Sequence, residues 1–418
     1  MIDMVAISVP FLRKHVTTSP AGPSFIDDRT LLETFGVDLT GDIAWDGEGY
    51  KYTRLRHNFE SLASSHASLA FKIINGTDFR QEPYVRIVGN PAKLLQGHNV
   101  FGPDSLELCC SAIWHAFAYA DLPFLYFLDW HHATVDYLDL TYSAKCENQH
   151  QAQQIIDMMR NVSVGQTKPW YDQKYKTTVY WNRNSEVRRL KAYLKLPELD
   201  NQVKELSKKL IATKLPHYQR QLEEINSPVV REFADGCIRF EARVYHTWLT
   251  GQGLDIALGK ITDPQIQEKE PDIIPRLWRK AFQDVFKAFE GAKMQANDEN
   301  KVLDALKIAF GRITPKGNVT YAKAQRLFNV YRNIVTDGYI RAKENSDRKT
   351  WHRHMKDLNY VGLTVAHLQN FTGELSNVVP FVRMINVDFS AQFPAGYVEP
   401  LPLSVQYNKN PALLRLVS

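Results

Sequence analysis

The chain has 418 residues, 44% of them hydrophobic and 23% charged, so it is too long for one ordinary core and too apolar for a disordered or low-complexity protein. The net charge of +5 is compatible with a polyanionic partner, and the excess is C-terminal: residues 294–418 carry 16 Lys and Arg against 10 Asp and Glu. Cys109, Cys110, Cys146 and Cys237 form no CxxC pair, no apolar run reaches membrane-spanning length, and the opening MIDMVAISVPFLRKH lacks signal-peptide order, so reduced thiols, no membrane and a cytoplasmic location are expected.

Taken in chain order, residues 1 to about 195 read mainly as strands: VAISV near the start, then LAFKII at 69–74, YVRIV at 84–88, YLDLTYS at 137–143 and TTVYW at 177–181. An apolar helix around 105–120 and an amphipathic one around 149–161 interrupt them. The run from Leu196 to Ile225 reads as helix broken near Pro216, followed by a strand CIRFEARV at 237–244 where the mixed core is expected to end. PRLWRKAFQDVFKAFEG then reads as a helix closing on Gly291, with shorter helices to about 370. The expected organisation is an α+β core over 1–250 built on an antiparallel sheet, a helical connector over 251–293, and a mainly helical region over 294–418.

Three strands carry a face able to do chemistry. In EVRRLKAYLK, at 186–195, alternation puts Arg189, Lys191, Tyr193 and Lys195 on one face and Leu190, Ala192 and Leu194 on the other. A phenol ionises near pH ~10, and neighbouring cations favour the phenolate that attacks phosphorus. The same pattern fits an ordinary half-exposed strand tyrosine. In CIRFEARV, Glu241 stands between Arg239 and Arg243, and in DYLDLTYSAK Asp139 shares a face with Thr141 and Ser143. Two carboxylates meeting from neighbouring strands would suit Mg²⁺ or Mn²⁺ at a scissile phosphate, while a salt-bridged sheet surface is the plainer alternative. His98, in the Gly-flanked turn of NPAKLLQGHNVFG, offers either a third contact or a structural histidine.

These segments resemble the gene II replication endonucleases of filamentous phages, the M13-like group, through nearly the whole chain. The resemblance rests on MIDM, LAFKI at 69–73, NPAKLLQGHNVFG at 90–102, RNVSVGQTK at 160–168, AYLK at 192–195, RFEAR at 239–243, FKAFEG at 286–291 and NVVPFVRMINVDFSAQFP at 377–394.

The resemblance implies a core related to rolling-circle initiators. It implies an enzyme of the host bacterial cytoplasm that nicks supercoiled origin DNA through a covalent 5′-phosphotyrosine, leaves a 3′-hydroxyl for a host polymerase working with a host helicase, and later circularises the displaced strand. The family's tyrosine falls on Tyr193 and its neighbouring lysine on Lys195, with Tyr180 of TTVYW as the fallback nucleophile. The His-hydrophobic-His metal motif of many such initiators has no convincing copy here, so a carboxylate site is expected: Asp139 and Glu241, with His98 third. Arg189, Lys191, Arg239 and Arg243 are candidate DNA contacts.

The family also makes a shorter protein by internal initiation, for which Met294 is the expected start. Residues 294–418 would then bind DNA, with Arg348, Lys349 and Arg353 on the first helix of a helix-turn-helix spanning RKTWHRHMKDLNYVGLTVAHLQNF. Two packed helices without a DNA role are the commoner reading of such a run. An oligomer on DNA is compatible with a single visible tyrosine motif. The rivals are a non-catalytic origin-binding regulator and a metal nuclease that hydrolyses without a covalent step.

Overall fold

The computed structural model describes the chain except residues 19–23, 28, 38, 41, 42, 46–49, 53–55, 64–67, 76–81, 121, 164–168, 172–175, 289–298, 316, 371–386 and 410–418. Its strands are β1 (Ile2–Pro10), β2 (Leu39–Thr40), β3 (Ile43–Trp45), β4 (Tyr50–Tyr52), β5 (Arg56–His57), β6 (Glu60–Ala63), β7 (Ser68–Ile74), β8 (Tyr84–Gly89), β9 (Thr134–Lys145), β10 (Pro169–Trp170), β11 (Thr178–Trp181), β12 (Arg188–Leu194), β13 (Cys237–Tyr245), β14 (Arg312–Ile313) and β15 (Val319–Thr320). Nine of them form one antiparallel sheet in the order β10-β11-β12-β13-β9-β1-β8-β7-β6. The fold is mixed α+β with a largely helical C-terminal region.

Several helices start where the sequence supplies caps. α1 (Pro91–Gln96) has Asn90 accepting from the Lys93 amide, proline at its start, and Gly97 at φ +84° closing it. Ser105 and Asn148 cap α2 (Leu106–Ala118) and α3 (Gln149–Met159) in the same way. α4 (Lys195–Thr213) ends at Lys214 in the left-handed region, and α5 (Pro216–Ile225) and α6 (Pro228–Ala234) follow. α7 (His246–Gly251), α8 (Leu258–Ile261) and α9 (Pro264–Lys269) lead into α10 (Ile273–Lys287).

Alternation along the strands divides the sheet into an apolar and a polar face. Val5, Ile7, Leu138, Leu140, Leu190, Ala192, Phe240 and Ala242 form a buried core beneath α2, α3 and α10. Gly89 lets α2 approach: a Cβ there would stand 2.6 Å from Leu69 Cδ1 and 2.7 Å from Ile113 Cδ1. The core does not end at the last strand. α10 adds Trp278 and Phe282 to it, with the Trp278 indole donating to the Phe240 carbonyl at 3.1 Å, and each such buried aromatic is worth about 1.5–3 kcal/mol.

The C-terminal region has its own core of Leu306, Leu327, Tyr331, Trp351 and Leu358. It is made by α11 (Glu299–Phe310), the β14–β15 hairpin, α12 (Ala322–Asp337), α13 (Tyr339–Glu344), α14 (Arg348–Tyr360) and α15 (Val365–Gln369). α14, a turn through Gly362 and α15 follow the helix, Gly-containing turn and second helix read from the sequence. α15 has five residues, and its end is bonded to the sheet domain: the Ser163 amide donates to Gln369 Oε1 at 3.0 Å and Asn370 donates to the Met158 carbonyl at 3.3 Å.

Beyond residue 386 the chain returns to the sheet domain. Phe389 packs on Tyr142 and Trp278, and Leu403 of α16 (Leu403–Lys409) joins the main core. The Gln392 amide accepts from the Ser143 backbone N–H at 2.8 Å and donates to its carbonyl at 3.0 Å. The side chain thus does for β9 what a neighbouring strand would. Met294, the expected internal start, lies outside the described residues, as do parts of the 160–168, 286–291 and 377–394 segments.

Candidate active site

The polar face is assembled by register. Across β11, β12, β13 and β9, one row reads Thr178, Tyr193, Arg239 and Ser143; the next reads Tyr180, Lys191, Glu241 and Thr141. A third row carries Arg189, Arg243 and Asp139. Thus Tyr193, Lys191, Arg189, Arg239, Glu241, Arg243, Asp139 and Tyr180 share one face, as strand alternation requires.

Lys195 departs from the expected pattern. The strand ends at Leu194 and Lys195 opens α4, because Pro197 and Glu198 suit a first helical turn. Its ammonium is fully buried yet stays near the tyrosine, 5.9 Å from the Tyr193 ring centroid. It donates to Asn99 Oδ1 at 3.0 Å and to Glu198 Oε2 at 2.6 Å. Burial pulls Lys195 down to about 8 against the attraction of Glu198. Burial opposes ionisation of Glu198 as well, but Lys195 draws that carboxyl down to about 2.

Tyr193 is only 3% exposed, so it is not the half-exposed strand tyrosine that the spacing also allowed. Burial pushes its phenol well above the ordinary range, with Glu241 adding to the effect and Arg239 opposing it. Lys191 lies over the ring, its ammonium 4.0 Å from the centroid and 3.4 Å from Glu241 Oε2. Despite burial, Glu241 and Tyr180 hold Lys191 above its usual value. With 27% of its side chain exposed, Lys191 is the cation nearest the tyrosine that still reaches solvent.

Arg239, a candidate DNA contact, turns inward. It is buried, and its guanidinium donates to the carbonyls of Asn99 and Val100, which clamps the 98–100 loop onto β13. His98 sits in that loop with its ring edge-on to Phe101 at 4.5 Å and its Nδ1 facing the Val100 amide at 3.3 Å. Burial, with Lys195 and Arg239 nearby, lowers it to about 3, so it is neutral at physiological pH.

Asp139 is held by Arg243 in a two-pronged ion pair, both distances 2.7 Å. Burial raises its carboxyl to about 6 against the pull of that arginine. Among the described residues no three His, Cys, Asp or Glu side chains come together to hold a metal ion. Asp139 and Glu241 therefore share a face, but the set Asp139, Glu241 and His98 does not form a cage. Arg348, Lys349 and Arg353 lie on exposed positions of α14, in the other core's region.

Reading the sequence missed the groups that support the tyrosine. Asp3 is buried in β1 and accepts from Asn90 and Asn99, each at 2.8 Å. Asn99 then passes the connection to Lys195. The signal for Asp3 was a lone acid inside an apolar strand. For Asn90 it was the Asn-Pro step that starts a helix.

The arrangement is a buried phenol backed by cations on a rigid sheet, and comparison with known proteins supplies its class. Residues 1–259 match the family model for the N-terminal part of the phage replication-associated protein encoded by gene II, and residues 313–402 match the model for its C-terminal part. This chain belongs to that family, the gene II family of filamentous phages. It is 40% identical to the replication-associated protein of Salmonella phage IKe over 413 residues, covering 96% of this chain and 97% of that one. It is 39% identical to the proteins of the same description from Enterobacteria phages f1 and M13, covering 96% of this chain and 99% of each of them. No solved structure matches the chain. Among the described residues no helix is long and apolar enough to cross a membrane.

Proposed function

We propose that this protein starts rolling-circle replication of its phage genome by nicking one strand of supercoiled origin DNA through Tyr193, and that it later cuts and circularises the displaced strand. The observation that carries the reading is the β12–β13 register, in which Tyr193 stands opposite Arg239 and one step from the Lys191–Glu241 pair. A strained turn or mobile loop is not needed to present the nucleophile; the sheet holds it.

In the nick, Tyr193 Oη bonds to phosphorus and the P–O3′ bond breaks. The phenolic proton passes to a base, the departing 3′-oxygen takes up a proton, and the 5′ end stays on the enzyme as a phosphotyrosine ester. Joining reverses this: a 3′-hydroxyl attacks the ester and the phenol leaves. Because burial keeps Tyr193 protonated, the resting protein is a poor nucleophile, and an incoming phosphate must meet both a proton acceptor and positive charge. Lys191 meets the phosphate from solvent. Lys195 has three ammonium hydrogens and engages Asn99 and Glu198, which leaves one for a phosphate oxygen. Asp3, Asn99 and Arg239 act behind them as positioning residues.

Mg²⁺ or Mn²⁺ would neutralise charge on the scissile phosphate. Magnesium keeps several waters and takes one or two carboxylates with substrate oxygens, and Glu241 suits that role through its single 3.4 Å contact to Lys191. Asp139, engaged at both oxygens by Arg243, and His98, turned to the Val100 amide, do not suit it.

The partners on this reading are phage origin DNA, as duplex and displaced strand, with a host helicase and polymerase in the bacterial cytoplasm. Residues 294–418 would form the DNA-binding product of internal initiation. Mass spectrometry of the digested covalent adduct should find the nucleotide on Tyr193. A nucleotide on Tyr180 would move the role across the hairpin, and origin binding without an adduct under any divalent metal would favour a regulator that does not cut.

A further inference from the structure

The helical C-terminal region carries a concavity that the tyrosine site does not use. It encloses about 440 Å³, the size of a small-ligand pocket, and its lining includes Phe310, Arg312, Lys323, Arg326, Arg353 and His354. Four cations thus surround one opening between the β14–β15 hairpin, α12 and α14. Lys323 is paired with Asp357 at 2.9 Å. Among the described residues no carboxylate pairs with Arg312, Arg326 or Arg353, and Nδ1 of His354 is buried without a hydrogen-bond partner.

One carboxylate of the lining, Asp357, faces four cations, so the opening favours a further anion. Like charges gathered around a cavity repel, and an orphaned ring nitrogen costs about 1–3 kcal/mol. Burial and the neighbouring Arg353 lower the His354 pKa, which reports the same positive field. The rim is aromatic as well as basic. The Lys323 ammonium lies 4.2 Å from the Phe310 centroid, Tyr360 is 77% exposed with its ring 5.9 Å from Phe310, and Tyr321 next to the cavity is 44% exposed. Exposed rings beside unpaired arginines make a surface on which unpaired bases stack while phosphates are neutralised.

We propose that this cavity binds one nucleotide unit of a single DNA strand, its phosphate among Arg312, Arg326 and Arg353 and its neighbouring bases on Tyr360 and Tyr321. The inference rests on the reading of the protein as a DNA enzyme and deepens it. It assigns the helical region a grip on the displaced strand that is separate from the Tyr193 site, and it requires no helix in a groove.

The test uses full-length protein, a labelled single-stranded oligodeoxynucleotide lacking origin sequence, and the same sequence as duplex. Anisotropy titrations compare wild type with Arg326→Gln/Arg353→Gln and with Tyr360→Ala; all three positions are exposed, so the variants should fold. The arginine pair should weaken single-strand binding at least tenfold and flatten its log–log salt slope by about 0.7 for each phosphate no longer neutralised. Tyr360→Ala should weaken the single strand severalfold and leave the duplex unchanged. Single-strand affinity unchanged in the arginine pair, or equal losses on single strand and duplex in Tyr360→Ala, would overturn the proposal. Adduct formation at Tyr193 on origin plasmid, followed in the same variants, reports separately on the nicking reading.

Discussion

Arg239 stands directly opposite Tyr193 across β12 and β13, yet its guanidinium turns to the backbone carbonyls of Asn99 and Val100. The arginine next to the candidate nucleophile thereby fixes the loop that also holds Lys195 through Asn99. A lysine cannot make that fork of bonds. Arg239→Lys should lose about 2–4 kcal/mol of stability in urea unfolding, and adduct formation should fall further than DNA binding. A variant as stable as wild type to within about 0.5 kcal/mol would mean the clamp is dispensable.

The Asp139–Arg243 pair predicts a dependence on pH. Asp139 has a folded value of about 6, above the ordinary carboxyl value near ~3.9. Its contribution to stability is therefore present below the unfolded value and is lost as pH rises through about 6. Arg243→Gln leaves the buried carboxylate unpaired, costing about 3–5 kcal/mol when ionised. The loss in melting temperature should be larger at pH 8 than at pH 5, and Asp139→Asn added to Arg243→Gln should recover most of it. Equal losses at both pH values would contradict this account.

His98 gives the opposite sign. It is neutral in the folded protein, with a value of about 3, whereas an unfolded histidine takes a proton below pH ~6.5. Stability should fall as pH drops from the unfolded value toward the folded one. His98→Gln should remove that proton uptake, gaining about 2–3 kcal/mol relative to wild type between pH 7 and 4.5. Parallel unfolding curves for the two proteins at both pH values would argue against a buried neutral ring.

Much of the sheet was legible because its strands alternate. LAFKII, YVRIV, YLDLTYS and CIRFEARV fall in observed strands, TTVYW does so from Thr178 onward, and the helices around 105–120 and 149–161 are α2 and α3. Alternation also gave the common face of Arg189, Lys191 and Tyr193, but it carried Lys195 onto the strand when Pro197 starts a helix there. Which strands are neighbours depends on contacts between residues up to 140 apart, such as Met1 and Thr141, and no local pattern encodes that. For the same reason sequence could pair Asp139 with Glu241 but could not show Arg243 occupying both oxygens of Asp139. Asp3, hidden in an apolar strand, acquires meaning only when Asn90 and Asn99 are seen to reach it.

The returning C-terminal segment supplies a fourth prediction. Gln392 both donates to and accepts from the Ser143 backbone. In Gln392→Glu a carboxylate would face the Ser143 carbonyl without a hydrogen to give it. A loss of about 1–3 kcal/mol is expected in urea unfolding, with faster hydrogen exchange at the open edge of β9. Unchanged exchange there would show that the strap does not protect the strand.

The central claim is that Tyr193 is the nucleophile, and one measurement tests it most directly. Wild type and Tyr193→Phe are incubated with supercoiled plasmid carrying the phage origin, with and without Mg²⁺, and the DNA is examined after denaturation for nicks with protein attached. The account predicts a metal-dependent, protein-linked nick with wild type, and origin binding but neither nick nor adduct with Tyr193→Phe. Nicking by Tyr193→Phe at the wild-type rate would contradict it, and the buried phenol on β12 would then be a structural residue.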